Sequence, residues 1–235
     1  MRKSVSVAMA VCNGEKYLRE QIDSVLKQLR DEDELIISLD PSSDKSEEIL
    51  NSYKDQRIKI YFGVGEGVVK NFENAIKQTR NEIIFLCDQD DVWLENKVEI
   101  VLKSFEDNIN VVMHDAYITN ENLKIKHMSF FSFRKTRTGV LKNILKNSYI
   151  GCCMAFKSDL KPYILPFPKN IPMHDQWIGI IGEKRGKNKL VKQPLLLYRR
   201  HKNNSSGDKH SSLIQMIKWR YILIKSLRRI KNYHV

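Results

Sequence analysis

The chain is predicted to be an α/β protein with a mostly parallel central sheet, flanked by helices and extended by a small mixed or antiparallel addition. Three observations predict it. Between residues 5 and 87, four short apolar runs alternate with three segments of helical periodicity. The connections between them are rich in Asn, Asp, Gly and Ser, the residues that turn a strand into a helix. Polar side chains stand where three of the runs end: Asn13, Asp40, and the trio Asp88, Asp90 and Asp91. Open α/β sheets bind ligands beyond the carboxyl ends of their strands, so these three places predict the site.

Residues 5–11 read as a short buried strand, and Asn13 and Gly14 then turn the chain into a helix over 15–29. Its apolar residues Leu18, Ile22, Val25, Leu26 and Leu29 recur at three- and four-residue spacing. A strand at 34–39, a turn at 40–44 and a helix from about residue 45 follow, with Asp44 as its N-cap. A strand at 58–62, a loop, a helix at 68–78 and a strand at 83–87 complete the alternation. Gly63, Gly65 and Gly67 invite a dinucleotide-binding reading. The full glycine spacing is missing, however, and the loop follows the third strand rather than the first. These glycines read as a tight turn that leaves Lys70 or Asn71 beside a ligand.

Beyond Trp93 the order changes. A helix is expected over 94–105, strands over 111–115 and 116–125, and a loop over 128–138 in which Phe130, Phe131 and Phe133 stand among Arg134, Lys135 and Arg137. Those rings suit stacking on a sugar or base as well as packing on the core. A short helix at 140–145 and a small-residue strand at 150–156 come next. Gly151 permits close approach of either a ligand or a neighbouring strand. After the turn-rich 162–172, Asp175 opens a helix, either as a first-turn acid or as a functional one. A strand from Leu195 runs into a basic loop holding Arg199, Arg200, His201 and Lys202, a setting suited to phosphate. The tail, 212–231, sets Leu213, Met216, Ile217, Tyr221, Ile224, Leu227 and Ile230 on one broad helical face, with Lys218, Lys225 and Arg229 roughly opposite. It reads equally as an interfacial helix drawn to anionic lipid and as a helix packed on the domain.

The segment that organises these elements is 85–93. An apolar run ends abruptly in three carboxylates within four residues, and Trp93 closes it. Burying three like charges so close costs several kcal/mol unless a cation neutralises them, which points to a divalent metal. Hard oxygen ligands suit Mg²⁺ or Mn²⁺, whose remaining positions are taken by water and substrate phosphates.

Composition sets outer bounds. With 235 residues, 42% of them hydrophobic, the chain suffices for one substantial core. A formal net charge of +12 suits a polyanionic partner: nucleic acid, acidic phospholipid or a phosphorylated small molecule. No nucleic-acid-binding motif is present, so no nucleic-acid partner is expected. The four cysteines lack metal-site spacing and read as reduced thiols. The first residues are too short an apolar run for a signal peptide, and no stretch reaches the length of a membrane span. A cytoplasmic protein is expected, with any membrane contact peripheral on the inner face of the plasma membrane.

Taken in order, five motifs resemble those of family 2 glycosyltransferases, closest to the bacterial rhamnosyltransferase-like branch that builds surface polysaccharides. They are Val11 to Leu18; Asp40 with Ser42, Ser43 and Asp44; Cys87 to Trp93; His174 to Trp177; and Tyr198 to Asn204. The resemblance implies the GT-A (nucleotide-diphospho-sugar transferase) fold, a nucleotide-sugar donor, a saccharide or lipid-linked acceptor, Mn²⁺ or Mg²⁺, and inversion at the anomeric carbon. It implies a glycosyltransferase domain over 1–207, with a nucleotide-binding half at 1–93 and an acceptor-binding half at 94–207, then a basic amphipathic helix at 208–235. By the same resemblance Val11, Cys12 and Asn13 line the nucleotide pocket and Asp40 meets a uracil or thymine base. Asp88 contacts the ribose or donor sugar, Asp90 ligates the metal, and His201 with Arg199 or Arg200 meets the diphosphate or metal. Gly151 and Cys152 form the floor under donor and acceptor, and Asp175 is the general base. One departure stands out: Leu39, Asp40, Pro41 and Ser42 occupy the place where the family usually shows Asp-Asp-Gly-Ser.

Other classes predict other sequences. A sugar nucleotidyltransferase requires a glycine-rich, Arg-containing phosphate loop after the first strand, which Val11 to Lys16 does not supply. A catalytically idle relative that binds a membrane or a partner fits the altered segment at 39–42 and stays open at this point.

Overall fold

The computed structural model describes residues 2–202, 204 and 212–230, with the side chains of the last two excepted. The chain-order elements of the first half are β1 (Val5–Val11), α1 (Leu18–Leu26), β2 (Glu34–Leu39), α2 (Ser46–Ser52), β3 (Ile58–Phe62), α3 (Val68–Gln78) and β4 (Ile83–Asp88). Every residue of β1 and β2 is buried. That is what a central parallel strand with helices on both faces requires, and it is why these runs are apolar throughout rather than alternating. The inner faces of the helices supply the cover: Leu18, Ile22 and Val25 from α1, and Phe72, Ala75 and Ile76 from α3. Each of these side chains except the small Ala75 contributes roughly 1.5–3 kcal/mol by leaving water.

The second half contains β5 (Val92–Trp93), α4 (Lys97–Lys103), β6 (Ile109–Asn120), β7 (Ile125–His127), α5 (Phe130–Arg134), α6 (Val140–Leu145), β8 (Met154–Lys157), α7 (Lys161–Ile164), α8 (His174–Arg185), β9 (Lys187–Arg200) and α9 (Leu213–Ile230). One nine-stranded sheet runs β3-β2-β1-β4-β8-β6-β9-β5, with β7 on β6. The first four strands are parallel. β8 lies antiparallel between β4 and β6, and β9 runs parallel to β6. The reversal at β8 brings the carboxyl ends of β1, β2, β3, β4, β6 and β9 to one edge, together with the amino end of β8. The sheet is continuous across residues 93 and 94.

Several expectations are corrected. The two strands expected at 111–115 and 116–125 are one strand, β6, and Ile125 starts β7 after a turn. Residues 128–138 are not a plain loop, because Ser129 caps a short helix there by accepting the Ser132 N–H. Phe130 is buried while Phe133 is exposed. The strand expected at 150–156 begins as a 3₁₀ turn at Gly151–Cys153 and becomes extended only at Met154. The helix expected over 94–105 is confined to α4. β9 starts eight residues before Leu195, and β5, which pairs with it, was not foreseen. Asp44 acts one place outside the expected cap, its carboxylate accepting the Ser46 N–H at 2.9 Å.

The tail helix differs in how its faces divide. Leu223 and Leu227 point into the body, whereas Leu213, Ile217, Tyr221 and Ile224 are exposed alongside Lys218 and Lys225. The cations therefore border the outward apolar stripe instead of opposing it. Lys231, the Arg229 side chain and the expected boundary at 207/208 lie outside the described residues. Among the described residues no helix is long and apolar enough to cross a membrane.

Candidate functional site

The site lies along the carboxyl edge of the sheet, where loops from distant segments lock one another. After β1, Asn13 adopts a left-handed backbone (φ 50°) that Asn tolerates better than most residues. Its Oδ1 accepts the Ser43 N–H at 2.8 Å and its own N–H donates to the Ser42 hydroxyl at 3.0 Å. Gln89 holds the Cys12 peptide from the other side: its Oε1 accepts the Cys12 N–H at 2.8 Å and its Nε2 donates to the Cys12 carbonyl at 2.9 Å. The Val11 carbonyl accepts both the Asp40 N–H and the Asn71 amide. Val11, Cys12 and Asn13 thus form a rigid rim whose backbone groups are satisfied by the loops after β2 and β4.

Asp40 is buried and accepts the Gly65 N–H at 3.1 Å. A side chain at Gly63 would collide with its carboxylate, which explains the glycine there. A shallow recess opens at this point, lined by Leu39, Asp40, Pro41, Ser42, Glu47, Phe62 and Gly63. Phe62 is 71% exposed at its mouth, an aromatic face offered to solvent. Lys70 stands apart from this recess and pairs with Glu73 at 2.7 Å along α3. A larger polar depression at the opposite, amino ends of the strands is lined by groups that neutralise one another, Arg57 with Asp55 and Lys59 with Glu34.

The three acids after β4 have separate environments. Asp88 is half-buried, and burial together with the nearby charges of Asp90 and Asp175 pushes its carboxyl up to about 7. Asp90 Oδ2 meets His201 Nε2 at 2.8 Å and accepts the Asn204 amide at 3.1 Å. Asp91 is fully buried; one oxygen accepts the Arg199 N–H at 2.9 Å, and Oδ2 has no partner among the described residues. Burial and the neighbouring acids push its carboxyl well up. Ligand atoms of Asp88, Asp91 and Cys152 all lie within 4.8 Å of one another.

Three carboxylates, a buried oxygen without a partner and an adjacent imidazole fit a divalent cation of the Mg²⁺ or Mn²⁺ class. The cluster itself is Asp88, Asp91 and Cys152, none of them expected as a metal ligand; the expected ligands, Asp90 and His201, are not members of it and bond to each other at 2.8 Å.

Asp175 is the second residue of α8 and is buried. Its Oδ1 accepts the Gln176 N–H at 2.5 Å and the Asn147 amide at 3.2 Å. Desolvation outweighs these bonds and pushes its carboxyl up to about 6. The rest of the segment serves to place it. His174 stacks on Phe72 at 4.0 Å, is held neutral by burial and has neither ring nitrogen partnered among the described residues. Gln176 donates to the Asn143 carbonyl at 2.6 Å, and Trp177 to the Ile164 carbonyl at 3.1 Å. Gly151 packs so closely on this helix start that a Cβ there would lie 2.7 Å from His174 Nε2.

Arg199 and Arg200 part company. Arg199 is 3% exposed, and its guanidinium is committed to the Asp90 carbonyl, the Glu121 carbonyl and the Glu20 carboxylate while stacking over Tyr17. It enters the site as a brace for the Asp90 loop, not as a cation facing a diphosphate. Arg200 lies on the Tyr198 ring and donates to its hydroxyl at 3.3 Å.

Two buried residues were not singled out in the sequence. Asn143 ties Arg137, Gly139 and Ser148 together behind Asp175. Lys97, 1% exposed, donates to the Cys152 carbonyl at 2.9 Å and lies 3.9 Å from the Trp93 ring centroid. Burial lowers its pKa, opposed by the charge of Asp91. A lysine four residues past a buried tryptophan at the start of a helix was the available signal, and it reads as an ordinary surface residue until the fold is known.

The comparisons agree with this geometry. The family model described as "Glycosyl transferase family 2" matches residues 6–163. The chain is 29% identical over 183 residues to WfgD of Escherichia coli, a UDP-Glc:alpha-D-GlcNAc-diphosphoundecaprenol beta-1,3-glucosyltransferase, covering 76% of this chain and 70% of that one. An uncharacterized glycosyltransferase of Methanocaldococcus jannaschii is 35% identical over 127 residues, 50% of this chain and 43% of its own length. Among solved structures, Staphylococcus aureus TarS 1-349 in complex with UDP-GlcNAc superposes with a TM-score of 0.75 at 17% identity, covering 96% of this chain and 66% of that one. The mannosyltransferase PcManGT from Pyrobaculum calidifontis, in complex with GDP-Man and Mn²⁺, gives 0.62 at 12% identity, covering 100% and 77%. The fold is GT-A.

Proposed function

The chain belongs to glycosyl transferase family 2, and on that premise we propose that it moves a sugar from a nucleoside-diphosphate donor to a hydroxyl of a saccharide or lipid-linked acceptor, with inversion. The observation that carries this reading is the pairing of the β4 acids with Asp175: a buried carboxyl raised to about 6 beside a half-buried Asp88 raised to about 7. A carboxylate at that value is a base at neutral pH yet holds a proton well enough to accept one.

In the proposed reaction the acceptor oxygen bonds to the anomeric carbon, the bond from that carbon to the diphosphate breaks, and the acceptor proton passes to Asp175. Proton acceptance by a placed carboxylate is worth about 10² to 10⁴ in rate. Asp90 and His201, with Asp88 and Asp91 beside them, would hold Mn²⁺ or Mg²⁺, which when bound would offset the charge of the leaving diphosphate. Asp88 orients the ribose or donor sugar over Gly151 and Cys152. Arg200 is the cation of the β9 end assigned to the diphosphate, with Arg199 bracing the Asp90 loop. Val11, Cys12, Asn13 and Asp40 take the nucleoside, and the recess beside Phe62 takes its base.

WfgD acts with UDP-Glc and TarS binds UDP-GlcNAc, which supports a UDP-sugar; a dTDP-sugar, as in the rhamnosyltransferase-like branch, is the second donor class proposed. A role in surface-polysaccharide synthesis on the cytoplasmic face, and the division of labour between 1–93 and 94–207, belong to the same proposal. So does contact of the tail helix with an anionic membrane.

The test is thermal stabilisation by UDP, dTDP, GDP and CDP, each with Mn²⁺ and with chelator. Saturation at about 100 times Kd raises stability by roughly 2.7 kcal/mol. One nucleotide is expected to stabilise in a metal-dependent manner, with the effect weakened in Asp90→Ala. No stabilisation by any nucleotide would favour the idle-binder reading instead.

A further inference from the structure

Exposed apolar side chains are gathered on one part of this molecule. Of the twelve large hydrophobic residues exposed among the described residues, ten lie in two segments, five between Ile125 and Leu145 and five on α9. These are also the segments without acids: residues 123–158 and 209–235 contain no Asp or Glu, although the chain has 28. They contain fifteen Lys and Arg.

The two segments meet in the fold. α6 and α9 pack together, and the Arg220 guanidinium donates to the Leu145 carbonyl at 2.8 Å. With Leu223 and Leu227 turned inward, α9 presents Leu213, Ile217, Tyr221 and Ile224 outward, and α6, which packs on it, exposes Leu141 and Leu145. Lys142, Lys218 and Lys225 are exposed along these helices.

We infer that α6 and α9 form a face that lies on an anionic lipid bilayer. Charge selects this occupant. An apolar stripe on helices that carry cations and no acid of their own is what an interfacial helix presents to acidic headgroups. A second copy seated on the same face by two-fold symmetry would set cations against cations. The face is also continuous with the supports of Asp175, since Asn143 of α6 takes the Gln176 amide and Asn147, just beyond α6, holds the Asp175 carboxylate. Resting on the reading of Asp175 as base, this places a lipid-linked acceptor's headgroup beside the group that deprotonates it.

The experiment is flotation of the full chain with phosphatidylcholine vesicles, with and without phosphatidylglycerol, at low and high salt. Binding is expected only with phosphatidylglycerol and is weakened by salt. At about 1 kcal/mol per cation, Lys218→Gln with Lys225→Gln lowers partitioning roughly 30-fold. Ile217→Ser with Tyr221→Ser weakens it as well, and both variants keep the wild-type nucleotide-induced thermal shift. Failure of the wild type to float with phosphatidylglycerol, or equal flotation of the variants, overturns the inference. So does self-association in sedimentation that Ile217→Ser abolishes, which would assign the face to a second copy. Lipid binding without nucleotide binding would refute the transferase reading alone, and nucleotide binding without lipid binding would refute only this face.

Discussion

Replacing Asp175 by Asn is expected to make the protein more stable while removing its chemistry, and the size of the gain follows from the structure. Asparagine keeps the shape and the Oδ1 acceptor that the Gln176 N–H and the Asn147 amide use. It removes the charge that burial disfavours. The carboxyl is raised from 3.8 to about 6. At pH 7.5, where the native carboxyl is ionised, a shift of about two units corresponds to roughly 3 kcal/mol against folding. The sign follows from proton binding. Between the unfolded value near 4 and the native value near 6, the native state holds the extra proton, so the wild type loses stability as pH rises through that window. The gain in Asp175→Asn is therefore about 3 kcal/mol at pH 7.5, about half that at pH 5, and close to zero near pH 4. For a chain of this size, 3 kcal/mol corresponds to roughly 6–12 °C in Tm. Differential scanning calorimetry of both proteins across pH 4–8 measures it. A variant equally or less stable at every pH would refute burial as the origin of the raised value. In a transfer assay the wild-type rate should rise with pH through about 6 to a plateau, and the variant should lose a factor of about 10² to 10⁴.

Three further substitutions test the supports of the site. Lys97→Met leaves the acids after β4 without their buried cation. It should destabilise by about 3 kcal/mol at pH 7.5 and by less at pH 5, below the raised value of about 7 at Asp88, as chemical denaturation at the two pH values will tell. Gly151→Ala drives a methyl group onto His174; the expected cost is about 1–3 kcal/mol, and transfer should fall more than nucleotide affinity because the start of α8 is displaced. Asp90→Ala should lower the Mn²⁺-dependent affinity for the nucleotide in calorimetric titration while leaving metal-free binding unchanged.

The parallel half of the fold was legible because each strand is buried on both faces and so reads as an uninterrupted apolar run. Legibility failed where a strand carries polar residues inward. His114 and Asp115 look like a break at 115/116, yet both are buried within β6: His114 bonds the Asp115 carbonyl at 2.7 Å, and the Asp115 carboxylate takes the Ser129 hydroxyl and the Ala116 and Phe131 N–H groups. The acids of the site were legible because nothing local accounts for three carboxylates after an apolar run. Arg199 was not, because a phosphate ligand and a structural brace have the same side chain, and only its distant partners Glu20 and Glu121 decide between them. Gln89, between two acids that attract the eye, has its role set by a backbone 77 residues away.

The Arg199 brace has a consequence for how the molecule is made. Its bond to Glu20 spans 179 residues, and its backbone N–H to Asp91 spans 108. Contacts of such long sequence separation close late in folding, since the loop entropy must be overcome before they reward it. During synthesis β1 to β4 can pair long before residue 199 leaves the ribosome, but the Asp90 loop acquires its brace only afterwards. The proposed nucleotide site therefore gains its brace only once β9 has been made, and a ribosome-bound fragment ending before β9 has the parallel sheet without it.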